Sequence, residues 1–309
     1  MKVIVVGLGI QGRKRKEVAG SDVVATIDPV MAGADAQRLE DIPLSTYDAA
    51  LVCTPDGPKV ELLTYLLSHG KHVLVEKPLV AAENSALEQL KYLGDQHGAV
   101  CYTAYNHRFE PHLISVKKLL EQQRIGRVYR CRMFYGNGTA RDVRNSAWRD
   151  RGLGVIPDLA SHMLDLCLFF FGQPSGGPRV WTYERHENVA CDHFLMGFPE
   201  SSPVLALEGT LLSWRNTFGL DLFGETGSIH VNGLCKWGPT SLIVRNRILP
   251  SGKPDEDVHP LEQKDPTWAA EYKYFRDLCV TGGTNISNDI WINGVLNELG
   301  RTLGVEMLA

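Results

Sequence analysis

The chain has 309 residues, 44% apolar and 22% charged, a composition that can bury one or two sizeable cores and does not suit a disordered segment. Lys and Arg number 32 against 36 Asp and Glu, so the formal charge is 32 − 36 = −4; nucleic-acid binders carry a basic surplus or stripe, and none is present here. No apolar run approaches the ~18 residues of a membrane-spanning helix, and the most apolar stretch, 164–171, contains Asp165. The seven cysteines are scattered and form no C-x-x-C, which points to reduced thiols in a cytoplasmic protein and away from a disulfide framework or zinc ribbon.

In chain order, the first third alternates short β-branched runs with helical patterns. Strands are expected at 2–6, 23–27, 49–54, 72–75 and 100–105, and helices at 11–19, 59–68 and 83–97. Almost wholly apolar strands separated by helices predict a parallel, doubly wound α/β sheet covered on both faces. From about residue 129 the pattern changes. Strand-like runs at 128–134, 180–183, 189–198, 204–212, 218–223, 227–231 and 241–245 follow one another across Gly, Pro, Asn and Ser turns. They predict an α+β domain with a large, mostly antiparallel sheet. Helices are expected at 156–171, 268–279 and 289–307, and 250–260 reads as the most loop-like stretch. The domains are placed at 1–120, binding a dinucleotide, and 121–309, binding substrate and mediating oligomerisation. The last segment, 289–309, is allowed to pack back on the first domain.

Gly7-Leu8-Gly9-Ile10-Gln11-Gly12 is a G-x-G-x-x-G between a strand and a helix. The first glycine permits a tight turn and the second lets backbone approach a diphosphate. The third lets helix and sheet pack closely, and the helix N-terminus faces the anion. Strand two ends at Asp28, where a carboxylate can accept the adenosine ribose hydroxyls and repel a 2′-phosphate. NAD is therefore expected, with NADP as the alternative because Arg13, Lys14, Arg15 and Lys16 follow the turn; a solvated helix face explains that run equally well. Lys77, in Glu76-Lys77-Pro78 after a buried strand, sits where ligands bind in open α/β sheets. In a regular helix Asp158, His162 and Asp165 share one face, an arrangement costly to bury among Leu, Met and Phe without purpose.

These motifs, with Cys53-Thr54-Pro55, Tyr105-Asn106-His107-Arg108-Phe109 and the lead Trp148-Arg149-Asp150-Arg151-Gly152-Leu153-Gly154, resemble the Gfo/Idh/MocA oxidoreductase family. That family includes glucose–fructose oxidoreductase, inositol dehydrogenases and sugar-nucleotide dehydrogenases. The resemblance covers residues 1 to about 170. It implies that Lys77, Asp158 and His162 are catalytic, and that Thr54, Pro55 and Glu76 line the nicotinamide side of the cofactor. It also places Asn106 and Arg108 where cofactor and substrate meet, and implies homodimers or homotetramers. Two departures stand out: Lys59 occupies a position where the family often has histidine, and the stretch from Asp28 to Asp48 is short for a helix and a strand.

The implied activity is hydride transfer between nicotinamide and a secondary alcohol or ketone of a sugar, cyclitol or sugar nucleotide. His162 would serve as base, Asp158 would orient it, and Lys77 would hold the developing alkoxide. Arg141, Arg144, Arg149 and Arg151 suggest an anionic substrate, with Arg149 as a binding residue, although surface pairing accounts for them as well. No metal site is expected: His186, Cys191, Asp192 and His193 lack zinc-ligand spacing. Neither a nucleic acid nor a membrane is expected as partner. Two further readings are a reductase for a non-sugar substrate of the biliverdin or dihydrodiol type, and a non-catalytic NAD-binding regulator.

Overall fold

The computed structural model describes residues 1–146 and 149–307; Trp148 of the arginine-rich lead lies outside the described residues. The chain divides into two compact units. The first comprises Met1–Asn106 and Thr267–Gly294, the second His107–Pro266 and Val295–Ala309.

The first unit is built on β1 (Val3–Val6), β2 (Val23–Ile27), β3 (Ala49–Val52), β4 (His72–Glu76) and β5 (Cys101–Ala104), with helices α1 (Ile10–Ala19), α2 (Lys59–Ser68) and α3 (Asn84–His97) between them. The five strands pair in the order β2-β1-β3-β4-β5, all parallel. Because side chains alternate along a strand, the Val/Ile/Leu runs feed two cores. Ile4, Val6, Ala50, Val52, Val73 and Val75 pack with Leu63, Leu66, Leu87 and Leu90 on one face. On the other, Val3, Val5, Leu51 and Leu74 meet Tyr272 and Phe275 of a later helix. That is the Rossmann sheet the β-branched alternation predicts.

Residues 28–48 form no α-helix. They contain two single 3-10 turns, Leu39–Asp41 and Leu44–Thr46, and one parallel bridge from Ile27 to Ala36. The amides of Asp35 and Ala36 both donate to Thr26 O, at 2.9 and 3.2 Å. The sheet therefore ends at β2, with a stub of chain satisfying its edge. The shortness read from the sequence becomes an abbreviated flank on the side where an adenine would lie.

The second unit holds α4 (Pro111–Glu121), β6 (Val128–Gly136), α5 (Ala140–Arg144), a π turn (Ile156–Ala160), α6 (Ser161–Phe171) and seven further strands: β7 (Arg179–Glu184), β8 (His193–Phe198), β9 (Val204–Thr210), β10 (Thr217–Gly224), β11 (Gly227–Asn232), β12 (Thr240–Asn246) and β13 (Glu256–Leu261). They form an eight-stranded sheet, β13-β12-β11-β10-β6-β9-β8-β7, antiparallel except for the β6–β9 pair. Cys131, Met133 and Tyr135 of β6 and Phe218, Leu220 and Leu222 of β10 point to its buried face.

Several boundaries differ from those read in sequence. Residues 189–192 are loop, and β8 begins at His193. The buried Asp192 carboxylate accepts the amides of His186, Glu187 and Asn188, and Asp150 accepts those of Val189 and Ala190. Both carboxylates satisfy backbone that a strand would have satisfied in a ladder. Conversely, part of the stretch read as loop is strand β13; Pro260 is tolerated there because the strand is an exposed edge. α4 and α5 were not anticipated. The two remaining helices are α7 (Thr267–Thr281) and α8 (Ile286–Leu303). Among the described residues no helix is long and apolar enough to cross a membrane.

Candidate active site

In the first unit, Gly7 takes φ +91°, and a Cβ there would lie 2.9 Å from Cys53 O. A Cβ on Gly12 would collide with Gly7 O, so helix and turn touch only because both residues are glycine. At Gly9, by contrast, a Cβ would meet nothing within 4 Å. α1 starts there with no side-chain cap and no acidic residue in its first turn. Its first N–H groups thus face open space, as an anion site at a helix N-terminus requires. Ile10 and Gln11 of this turn are exposed.

Asp28 stands beside the turn. Its Oδ2 accepts Leu8 N–H at 2.7 Å, and its Oδ1 accepts Val30 and Met31 N–H at 2.9 Å each. Burial tends to raise its pKa, but the three amides prevail and hold the carboxyl below the ordinary range. It is an anion with acceptor capacity left on Oδ2. On the far side, Thr54 Oγ1 is buried without a hydrogen-bond partner among the described residues, next to the exposed Pro55. The open glycine, the uncapped helix and this orphaned hydroxyl fit a dinucleotide.

The basic run after the turn is not one solvated face. Arg13 Nε donates to Leu8 O at 3.1 Å within the turn, and Lys14 lies 4.0 Å from the centroid of Trp268. Arg15 is buried between Glu76 (2.6 Å) and Glu271 (2.7 Å), with its guanidinium over Trp268. Burial lowers its pKa, but Glu271 and Glu76 outweigh that and raise it. Glu76, read as a cofactor residue, therefore also anchors α1 at the end of β4. Lys77 follows it, partly buried, at the carboxyl end of the same strand. Lys59 is buried and bound to Asp56 and Pro78 O, both at 2.7 Å, which gives it a structural place. Asn106 closes the unit, its Nδ2 donating to the buried Thr267 Oγ1 at 2.9 Å.

In the second unit the helix expected at 156–171 opens with a π turn, so Asp158 and His162 do not keep the straight-helix i, i+4 relation. Such turns recur at functional sites. His162, 6% exposed, lies in the first turn of α6. Its ring stacks on His107, with centroids 3.9 Å apart and planes 15° apart. Tyr135 flanks both rings at 5.4 and 5.9 Å, and Lys236 Nζ lies 3.1 Å from His107 Nε2. Burial, then Asp158, raises the Tyr135 phenol. The turn bearing Lys236 is held by Glu110, whose carboxylate accepts the amide and thiol of Cys235, each at 3.1 Å.

Asp165, one turn on, is not part of an acid–base set. Arg108 grips it with Nε and Nη2, each at 2.7 Å, inside the unit. Arg108 is the counterion of a buried carboxylate, and its own side chain stays partly exposed. Of the arginine group, Arg141 and Arg144 reach Glu187, and the half-buried Arg149 remains as a candidate. His186 pairs with Glu184 at 2.6 Å, and Cys191 O accepts Val155 N–H. Those residues order the loop behind the π turn. Sequence reasoning missed His107, Tyr135 and Lys236. His107 sat within a quoted motif, and the other two lie on strand and turn positions with no local signal.

A model for an oxidoreductase family with an NAD-binding Rossmann fold matches residues 1–105, and a model for the GFO/IDH/MocA C-terminal domain matches 113–230. The scyllo-inositol 2-dehydrogenase (NADP(+)) IolW of Bacillus subtilis is 27% identical over 167 residues, 52% of this chain and 46% of that protein. The inositol 2-dehydrogenase of Rhizobium meliloti is 28% identical over 150 residues, 48% of this chain and 41% of that one. The chain spans about half the length of the curated relatives it matches. The structure of levoglucosan dehydrogenase in complex with NADH shares the fold, with TM-score 0.83 at 17% identity over 100% of this chain and 99% of that one. Matched in both of its parts by models of one group, and carrying the parallel and mostly antiparallel sheets described above, the chain belongs to the Gfo/Idh/MocA oxidoreductase family.

Proposed function

We propose that this chain transfers a hydride between NAD, in preference to NADP, and a secondary alcohol or ketone of a sugar, cyclitol or sugar nucleotide. The observation that carries the reading is the uncapped glycine turn beside an ionised Asp28. When bound, the nicotinamide supplies or accepts the hydride. The first-turn amides of α1, with Gly7, Gly9 and Gly12 around them, hold the diphosphate, and Asp28 accepts a ribose hydroxyl on Oδ2. Thr54 Oγ1, Pro55, Glu76 and Asn106 line the nicotinamide side. His162 takes the substrate hydroxyl proton on a ring nitrogen while Lys77 Nζ donates to the same oxygen, and Asp158 steadies the charge that His162 acquires. In the reverse direction the same groups return the proton. Arg149 is the candidate contact for an acidic group on the substrate.

Two measurements test this. NADH fluorescence titration is expected to show binding at least about ten-fold tighter than NADPH, a difference of about 1.4 kcal/mol. Asp28→Gly should bring the two within about three-fold by removing the repulsion of a 2′-phosphate. A panel of inositols, aldoses, uronates and nucleotide sugars should give an absorbance change with NAD(H). Silence across that panel despite tight NADH binding would overturn the enzymatic reading in favour of a cofactor-sensing regulator. We also propose a homo-oligomer formed through the outer face of the eight-stranded sheet, where Trp181, Val204 and Phe223 are exposed. Light scattering is expected to give a mass of at least two chains, and Phe223→Glu to lower it; a monomer at micromolar concentration would exclude it.

A further inference from the structure

His162 has a neighbour that the proposed reaction does not use. The imidazole of His107, 2% exposed, lies flat against it at 3.9 Å between centroids, and Lys236 Nζ stands 3.1 Å from His107 Nε2. An ammonium only donates, so His107 Nε2 must be the acceptor and the ring carries its proton on Nδ1. Protonating His107 would break that bond and set two cations against each other. The stack confines the His162 ring, and the Lys236 ammonium stands at the edge of the ring it stacks on.

We propose that His107 and Lys236 are positioning residues for His162: the stack fixes its ring plane, and the Lys236 charge at the His107 edge disfavours its protonation, so that it is ready to act as a base. The inference rests on the reading of His162 as the proton acceptor. The charged and titratable groups of the second unit around this set oppose one another in a definite way. Asp158 lies on the π turn preceding His162 and favours the imidazolium. Tyr135 of β6 is a phenol held neutral by burial. Asp165 is neutralised by the Arg108 fork. Lys236 is the cation at the Nε2 edge of His107, and it acts on Glu110, which also feels Asp265. Glu110 is pushed above the usual carboxylate range by burial, and Asp265 pushes it the same way. Removing the Lys236 charge takes away an interaction that disfavours the imidazolium, so the His162 midpoint is expected to rise.

The geometry behind the lysine supports a positioning role. Lys236 is carried on a single 3-10 turn, Cys235–Trp237, whose first residue is bonded to Glu110 through both amide and thiol. Glu110 immediately precedes α4, and His107 lies on the 3-10 turn Asn106–Phe109 just ahead of it. One buried carboxylate thus ties the lysine's turn to the histidine's.

The test uses the full chain without cofactor or substrate, so it survives failure of the proposed reaction. Ring nitrogens of 15N-histidine-labelled protein are titrated by NMR. In wild type, His107 should show a single Nδ1–H tautomer. Lys236→Met should raise the His162 midpoint by about half a unit to one unit and mix the His107 tautomers. Lys236→Gln, which keeps a donor but no charge, should raise the midpoint while preserving the tautomer. Lys236→Arg should restore both within about 0.2 unit. A His162 midpoint unmoved in both Lys236→Met and Lys236→Gln would overturn the proposal, as would a wild-type His107 protonated on Nε2.

Discussion

Arg108→Ala is expected to lower the free energy of unfolding by about 3–5 kcal/mol at pH 7, because it strands the buried Asp165 carboxylate without its two-point partner. Arg108→Met alone should cost as much, since it is the loss of the charge that matters and not the loss of the stem. The double replacement Arg108→Met with Asp165→Leu should recover most of the loss, as a pair of apolar side chains needs no counterion. Urea unfolding of Arg108→Met, Asp165→Leu and the double variant gives the double-mutant cycle. The pH dependence has a definite sign. Burial raises the Asp165 pKa and Arg108 lowers it, with burial the larger effect. Without Arg108 the folded-state value climbs further above the unfolded ~3.9. A group with a raised folded pKa contributes stability that is complete below the unfolded value and lost as pH rises through the folded one. The deficit of Arg108→Ala should therefore shrink between pH 7 and pH 5 as Asp165 takes up a proton. A loss below about 1 kcal/mol, or one independent of pH, would show that the fork contributes little.

His162→Ala is expected to cut kcat by about 10²–10⁴ on the best substrate of the panel, the usual range for removing a positioned base. NADH affinity should stay within about three-fold, since His162 belongs to the second unit and the proposed diphosphate site to the first. Lys77→Met should lower kcat by about 10²–10³ through loss of charge stabilisation at the reacting oxygen. Single-turnover absorbance with NAD(H) separates these effects from product release. Turnover within five-fold of wild type in both variants would remove His162 and Lys77 from the chemistry together.

The amino-acid pattern alone determined the architecture of the first unit. Runs such as Val3–Val6 and Ala49–Val52 are buried on both faces, and a sequence with no polar residue to turn outward leaves few alternatives to a covered parallel sheet. It also located the glycine turn, since Gly7 and Gly12 answer steric demands made by near neighbours, and it registered the missing flank between Asp28 and Asp48 as a shortage of residues. The alternating strands of the second unit were legible for the same reason, a side-chain period of two. Its edges were not: residues 189–192 and β13 were exchanged between loop and strand because their fate depends on the Asp150 carboxylate, distant in the chain, and on an edge that tolerates Pro260.

What only the tertiary structure decided is which charges face which. Arg15 stands in a run of four basic residues, yet it is the one enclosed by Glu76 and Glu271, carboxylates far from it in the chain. Asp165 looked like a member of an acid–base face until Arg108 closed on it, and the π turn at Ile156–Ala160 changed the spacing from which that face had been inferred. His107 and Lys236 come from turns separated by most of the eight-stranded sheet, and no local period links them to His162. Hydrophobic periodicity is a property of neighbours along the chain and survives in the sequence; electrostatic pairing is a property of neighbours in space, and it exists only once the sheet has set the register of its strands.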